Sequence, residues 1–271
     1  MESPLVQALT LKTEPVAIIW TDEKPAGAAE FGAGSWGCVM AMFGAAALKG
    51  KTAVFSRDTF GCVGGGYGLG FGNTYENFPG GMEGFCRFLS TGNEDWEPGR
   101  QIAEGMRAGG ARPEFVGHFL HGERYKKEPD TVRRYLEALP PMDVPTRYVA
   151  FVPLAQVGPD LPAPVVVSLL VNPNQLAALV VLANYDRPGL ENVAIPFVAG
   201  CQAVALLSFR EAQNEMPRGI VGQMDLSARK YLAANAGADA FTFTVPLARY
   251  REMEANVHGS FLEGDTWRSL Q

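Results

Sequence analysis

The fold class is decided by the stretch EPVAIIW at residues 14–20, followed by CVMAMFGAAAL at residues 38–48 and TAVFS at residues 52–56. The first and third segments are short and rich in β-branched or aliphatic residues, which predicts buried strands. The middle segment is a continuous apolar run that ends at Lys49-Gly50, which is typical of a buried helix with a glycine cap. A strand, a helix and a strand in this order predict an α/β protein.

The same alternation returns in the second half. Residues 148–154, 165–171 and 240–245 are predicted strands, and Asn172-Pro173 begins a helix predicted to end at residue 184. Further helices are predicted at residues 227–234 and 247–256. Segments 16–20 and 165–171 are almost entirely apolar, so we expect both in the interior of a sheet. No low-complexity linker interrupts the chain, which predicts one domain, 1–271, with two possible strand-helix lobes at 1–140 and 141–271.

Composition restricts the partners and the compartment. The 271-residue chain has a formal net charge of -6 with both signs interspersed, which argues against nucleic acid and against anionic membranes as partners. The start MESP lacks the features of a secretory signal, and no apolar run reaches the ~18 residues of a membrane helix. We therefore expect a cytoplasmic protein, in which the four cysteines are core thiols, metal ligands or redox residues.

Three of the four cysteines, Cys38, Cys62 and Cys201, directly follow a glycine. Glycine lets the backbone approach an inorganic group closely, and amides at a helix start donate to anionic sulfur and favour the thiolate. This pattern is consistent with an iron-sulfur cluster, or another thiolate-bound metal, whose ligands come from distant loops. Buried structural thiols remain an alternative, because Cys201 lies in an apolar run and the chain has no C-x-x-C pair.

The segment GCVGGGYGLGFG at residues 61–72 contains seven glycines in twelve positions. Each glycine costs a helix up to about 1 kcal/mol relative to alanine, so we predict a turn that a bound group orders. Its residues Gly61, Gly64, Gly65, Gly66 and Tyr67 are the predicted cofactor-binding positions. The segment does not match the phosphate-binding pattern G-x-x-x-x-G-K-[ST], which argues against a nucleotide site.

Polar residues elsewhere allow simpler interpretations. Asp225 or Ser227 is predicted to cap the helix that follows, and Arg229 is predicted either to form a buried ion pair or to bind the carboxylate of a ligand. His118 and His121 have helical spacing, but no further ligands lie near them in the sequence, so a solvated helix is the favoured interpretation.

Several segments together resemble the domain-of-unknown-function 169 family. They are EPVA at 14–17, the two Gly-Cys pairs of the first quarter, NPNQL at 172–176, Gly200-Cys201, DLSAR at 225–229 and FTFTVP at 241–246. The resemblance extends over residues 5–257 and implies a cytoplasmic, cysteine-containing protein, mostly of anaerobic bacteria and archaea, for which iron-sulfur binding is expected. The cysteines of the family correspond to Cys38, Cys62 and Cys201. Cys86 matches none of them, so the fourth ligand is Cys86, a substrate or a non-cysteine side chain.

These observations predict an α/β domain built around a central cysteine site that binds a four-iron [4Fe-4S] cluster. Such a protein would serve electron transfer or a cluster-assisted redox step, with a redox partner protein or a small-molecule substrate. One alternative is a metal-free module that binds a small organic ligand between two lobes, with Arg229 as the anion anchor and Tyr67 and Phe71 as walls. Another is a structural subunit of a larger complex. The sequence leaves open whether the protein is an enzyme.

Overall fold

The computed structural model describes residues 3–139 and 141–271. Met1 and Glu2, which entered the prediction of location, and Pro140, the last residue of the first predicted lobe, lie outside the described residues. The strands are β1 (Val16–Thr21), β2 (Ala53–Phe55), β3 (Tyr148–Pro153), β4 (Val166–Val171), β5 (Val193–Ala194), β6 (Gly219–Gly222) and β7 (Phe241–Pro246).

The α-helices of the described residues are α1 (Pro4–Ala8), α2 (Val39–Lys49), α3 (Val63–Leu69), α4 (Gly81–Phe88), α5 (Glu97–Ala108), α6 (Pro113–His121), α7 (Pro129–Glu137), α8 (Pro173–Tyr185), α9 (Ser208–Glu211), α10 (Leu226–Ala236), α11 (Leu247–Ala255) and α12 (Asp265–Arg268). A π-helix spans Gln202–Leu207, and short 3-10 helices span Thr74–Asn77, Leu154–Gln156 and Phe261–Glu263. The predicted α/β class is confirmed.

The seven strands form one sheet in the order β2-β3-β1-β4-β7-β6-β5. Every neighbouring pair is antiparallel except β5 and β6, which are parallel. β1 lies between β3 and β4, and β4 lies between β1 and β7, so the prediction that both belong to the sheet interior is confirmed. The sheet therefore contains strands from both halves of the chain.

Helices cover both faces of the sheet. On one face, buried residues of β4, β6 and β7 pack against α1, α8 and α11, in a cluster that includes Leu5, Leu179 and Met253. On the opposite face, the ring of Phe43 in α2 packs edge-on against Phe151 of β3, with 6.1 Å between their centroids. Apolar side chains on both faces explain why β1 and β4 read as nearly continuous apolar segments.

Contacts between residues divide the chain into two compact units. The first unit contains the residues up to Phe71 and those from Asp143 onward, and it holds the whole sheet. The second unit, Gly72–Met142, consists of α4 to α7 with a short 3-10 helix. Its core includes Ala103, Val116 and Phe119, packed against Phe78.

Local sequence signals identify the starts of α8 and α10. Asn172 accepts a hydrogen bond from the amide of Gln175, whose side chain in turn accepts one from the amide of Asn172, so a capping box begins α8. Asp225 caps α10 by accepting a hydrogen bond of 2.9 Å from the amide of Ser227. Both predicted caps are confirmed.

The prediction that the glycine-rich segment is a turn and not a helix is wrong. Residues Val63–Leu69 form α3, which contains four glycines and ends at Gly70 in the left-handed conformation. The helix exists because tertiary packing outweighs the low helix propensity of glycine, and its glycines allow an unusually close approach to neighbouring backbone.

None of the helices in the described part of the chain combines the length and apolarity needed to cross a bilayer.

Candidate functional site

Cys38 stands immediately before α2, in the extended conformation of a residue that begins a helix. The amides of Ala41 and Met40, in the first turn of α2, lower the pKa of the Cys38 thiol. Burial of the thiol acts in the opposite direction and is the larger effect, so the pKa of Cys38 is raised above its ordinary value. The negative charge of Asp225 raises this pKa further.

Cys62 begins α3 in the same way. Its sulfur accepts a hydrogen bond of 3.3 Å from the amide of Gly65, and its own amide donates to the carbonyl of Gly37 at 3.0 Å. The second contact joins the segment before Cys62 to the segment before Cys38. Burial and then the charge of Cys38 raise the pKa of Cys62 to about 11.

Cys201 directly precedes the π-helix Gln202–Leu207 and is buried. Its thiol donates a hydrogen bond to the carbonyl of Gly64 in α3, with 3.2 Å between sulfur and oxygen. Burial, followed by the charges of Cys62, Cys38 and Asp225, raises the pKa of Cys201 well above its ordinary value. A π-helix is rare and is frequently found at functional sites.

These contacts bring together three segments that are far apart in the sequence. Cys38, Cys62 and Cys201, called here the three-cysteine group, each stand at the start of a helix, and their charges influence one another. All three belong to the first unit. The arrangement offers three soft sulfur donors within electrostatic reach of each other, with helix amides directed toward them.

Glycines make this approach possible. A β-carbon on Gly68 would lie 2.8 Å from the sulfur of Cys201, and one on Gly61 would lie 2.4 Å from the carbonyl oxygen of Gly37. Gly61 also has a φ of 79°, which larger residues rarely adopt. A β-carbon on Gly65 would lie 2.8 Å from Cγ2 of Val39, the residue that follows Cys38. Side chains at these positions would push the cysteine-bearing segments apart.

The remaining predicted residues of the glycine-rich segment lie inside α3. Gly64 provides the carbonyl that binds the Cys201 thiol, and Gly66 donates its amide to the carbonyl of Cys62 at 3.0 Å. Tyr67 is 3% exposed and Phe71 is 7% exposed, so neither is the wall of an open cleft. These positions do not favour the metal-free alternative, in which Tyr67 and Phe71 would line a ligand cavity.

Cys86 belongs to the second unit, where it is fully buried in α4. Burial is the main cause of its raised pKa, and the charges that influence it are those of Arg133, Glu83 and Asp130. These surroundings are typical of a core thiol.

Arg229 binds backbone carbonyls. One guanidinium nitrogen donates to the carbonyls of Gln223 at 3.1 Å and Ala240 at 3.3 Å, and the other donates to the carbonyl of Ala238. The guanidinium also lies over the ring of Phe241, 5.1 Å from its centroid. Arg229 thereby ties the start of α10 to the segment that leads into β7.

The structure adds two residues that the sequence did not single out for this site. Asp225 was predicted as a helix cap, yet its charge also acts on Cys38 and Cys201. Gln223 is 1% exposed and lies beside Gly200, where its amide nitrogen is 3.0 Å from the position that a β-carbon would take. Only the tertiary structure reveals either relationship.

The histidines of α6 lie in the second unit. His118 and His121 are each more than half exposed, and their ring nitrogens lie 3.8 Å from Glu123 and 3.4 Å from Glu94, respectively. Within residues 3–139 and 141–271, no set of three or more His, Cys, Asp and Glu side chains has the arrangement of a preformed metal site.

Comparison with known proteins gives a family. Searches of curated proteins and of solved structures found no significant match. The family model described as "Uncharacterised ArCR", domain of unknown function 169, matches residues 4–256. Because this match covers nearly the whole chain, the chain belongs to the domain-of-unknown-function 169 family.

Proposed function

We propose that this protein binds an iron-sulfur cluster of the four-iron type through Cys38, Cys62 and Cys201 and functions in electron transfer or a cluster-assisted redox step. The observation that carries the proposal is the meeting of three Gly-Cys segments, each at a helix start, from separate parts of the chain. Sulfur ligands at such positions are suited to iron, and neighbouring amides stabilise the charge on thiolate and sulfide.

The electrostatics of the three thiols supports the binding of a cationic group. Burial raises the pKa of all three thiols, and the charges of neighbouring cysteines raise the pKa of Cys62 and Cys201 further, so three neighbouring thiolates are unfavourable without a compensating positive charge. A bound metal supplies that charge, and its binding displaces the thiol protons. The Cys201 hydrogen bond to Gly64 would be exchanged for a sulfur-metal bond in this process.

The residues of this chain would hold the cluster as follows. Cys38, Cys62 and Cys201 would be thiolate ligands, and the amide of Gly65, which already donates to the Cys62 sulfur, would continue to do so. When bound, such a cluster supplies one-electron chemistry between a reduced donor and an oxidised acceptor. For the fourth position the sequence predicts Cys86, a substrate or a non-cysteine side chain. The partner is a redox protein or a small-molecule substrate.

We also propose a cytoplasmic location, on the basis of the same cysteines. All four cysteines are free thiols, which fits a reducing cytoplasm. The interspersed charges and the net charge of -6 give no reason to propose nucleic acid or a membrane as a partner.

Anaerobic reconstitution of the purified protein with iron and sulfide tests the proposal. We expect a brown protein with near-visible absorption, and loss of both colour and bound iron in Cys62→Ser, because a serine hydroxyl is a far poorer ligand for iron. The far-ultraviolet circular dichroism of Cys62→Ser should remain close to that of the wild type.

Cys86→Ser is the matched control and should retain most of the iron if Cys86 is only a core thiol. A colourless wild-type protein after reconstitution, or full iron content in Cys62→Ser, would contradict the proposed function.

A further inference from the structure

Gln223 has an unusual backbone conformation. It follows β6 directly, and its φ is 73°, one of three positive values found among the non-glycine residues that the structure describes. Such a conformation is unfavourable for a residue with a long side chain, and it persists only where the surroundings impose it. Here the carbonyl of Gln223 accepts a hydrogen bond from Arg229, which helps to fix the backbone.

The side chain of Gln223 is buried without hydrogen bonds. The residue is 1% exposed, and neither its carboxamide oxygen nor its nitrogen has a hydrogen-bond partner. A buried polar group without a partner is unfavourable, because it has given up its hydrogen bonds to water and gained none in the protein. A methionine of similar shape would avoid this cost, so the presence of an amide calls for an explanation.

The amide lies next to the cysteine-bearing segments. A β-carbon on Gly200 would lie 3.0 Å from the Gln223 nitrogen and 2.9 Å from Met40 in the first turn of α2. Gly200 precedes Cys201, Met40 follows Cys38 by two positions, and Asp225 influences both thiols. A strained, buried and unpartnered amide thus lies against Gly200, the residue that directly precedes Cys201.

We infer that Gln223 helps to hold the group that binds at the cysteine site. The N–H groups of its carboxamide donate hydrogen bonds to anionic sulfur atoms of that group. This inference rests on the proposed function for the identity of that group. Hydrogen bonds to the sulfur atoms of a cluster stabilise its more negative, reduced state and thereby raise its reduction potential. The hydrogen bond also gives the amide the partner that it lacks in the protein alone.

The test is Gln223→Met, which keeps the length and approximate volume of the side chain and removes its polar atoms. In the metal-free protein, we expect the melting temperature to stay equal to or above that of the wild type, because an unpartnered buried amide is lost. In the reconstituted protein, we expect a more negative reduction potential and loss of iron to a chelator that is roughly tenfold faster.

Gln202→Met is the matched control for the metal-free measurement. Gln202 is also fully buried, but its side-chain oxygen accepts a hydrogen bond of 3.0 Å from the amide of Ala199. Its replacement should lower the melting temperature, because the amide of Ala199 loses its partner. Gln223→Gly provides a second variant, since it removes the amide and also relieves the backbone strain.

The outcomes separate this inference from the proposed function. A wild-type protein that binds no iron would overturn the proposed function, and the role of Gln223 with it. An iron-containing wild type, together with unchanged potential and unchanged iron loss in both Gln223 variants, would overturn the role of Gln223 alone. A marked fall in the melting temperature of metal-free Gln223→Met would also overturn it, because the amide would then have a structural partner.

Discussion

The sulfur of Cys201 lies 2.8 Å from the position that a β-carbon on Gly68 would occupy. Because Gly68 has no β-carbon, α3 can pack closely against Cys201 and the π-helix that follows it, although α3 contains four glycines. The glycines of α3 lower its intrinsic helix propensity, but they let its backbone reach a neighbour that any side chain would keep away. A substitution of Gly68 by a larger residue should therefore favour the helix through its intrinsic propensity but disfavour the packing of α3 against Cys201.

Gly68→Ala should destabilise the protein although alanine is the better helix former. We expect the free energy of unfolding to fall by about 2 kcal/mol because the new methyl group overlaps Cys201, and iron binding should fall as well. Urea denaturation of the metal-free protein measures the first effect. Gly105→Ala is the control, because nothing lies within 4 Å of a β-carbon there; it should stabilise α5 by up to about 1 kcal/mol. Equal stability of Gly68→Ala and the wild type would contradict the described packing.

Asp186→Asn should destabilise the protein by about 2 kcal/mol. Arg249, only 1% exposed, binds the two carboxylate oxygens of Asp186 at 2.7 and 2.8 Å, and removing the negative charge leaves a buried guanidinium with less compensation. The expected loss is below that of a fully buried pair because a third of the Asp186 side chain is exposed. In the control, Asp265→Asn, the pair with Arg268 is mostly exposed and the change should be under about 0.5 kcal/mol.

The same pair predicts a dependence on pH. Hydrogen bonds from Arg249 lower the pKa of Asp186 from 3.8 to about 2 in the folded protein. The unfolded chain therefore binds a proton first as the pH falls, so the stabilisation is complete above about pH 4 and is lost toward pH 2. The stability difference between the wild type and Asp186→Asn, measured by urea denaturation, should shrink over this interval. A stability difference between the two proteins that stays constant from about pH 6 to about pH 2 would contradict this prediction.

Arg229→Lys should lower the free energy of unfolding by about 2 kcal/mol. A single ammonium cannot reach the three carbonyls that the planar guanidinium binds, so carbonyls that are partly shielded from water lose their donor. Chemical denaturation of the metal-free protein measures the loss. Lys230→Ala, at the next and exposed position of α10, should change stability by less than about 0.5 kcal/mol. Unchanged stability in Arg229→Lys would contradict the structural role that these three hydrogen bonds give to Arg229.

Much of the fold could be predicted because the decisive signals are local. The apolar segments of β1 and β4, the Asn172-Pro173 start of α8 and the cap at Asp225 each depend on neighbouring residues. The helical state of α3 could not be predicted in this way, since it depends on contact with Cys201. The largely antiparallel sheet was equally hidden, because strand pairing joins distant segments.

In the candidate site, too, local signals could be read from the sequence and tertiary contacts could not. The Gly-Cys pattern identified Cys38, Cys62 and Cys201, and the structure joins the segments that carry them. The surroundings of Cys86, which follows Phe85 and not a glycine, depend on tertiary packing and could not be read from the sequence. Gln223 carried no sequence signal at all, because positive φ, burial and the lack of a hydrogen-bond partner are properties of the folded chain.

The contact between Cys201 and Gly64 has a consequence for the order of events during synthesis. These residues are 137 positions apart, so at about 5–20 residues per second a ribosome needs roughly 7–27 seconds to produce the second after the first. During this interval Cys38 and Cys62 are without Cys201, and β1 can pair with β3 and β4 only after those strands have been made. Assembly of the three cysteines is therefore a late event, which needs about three quarters of the chain.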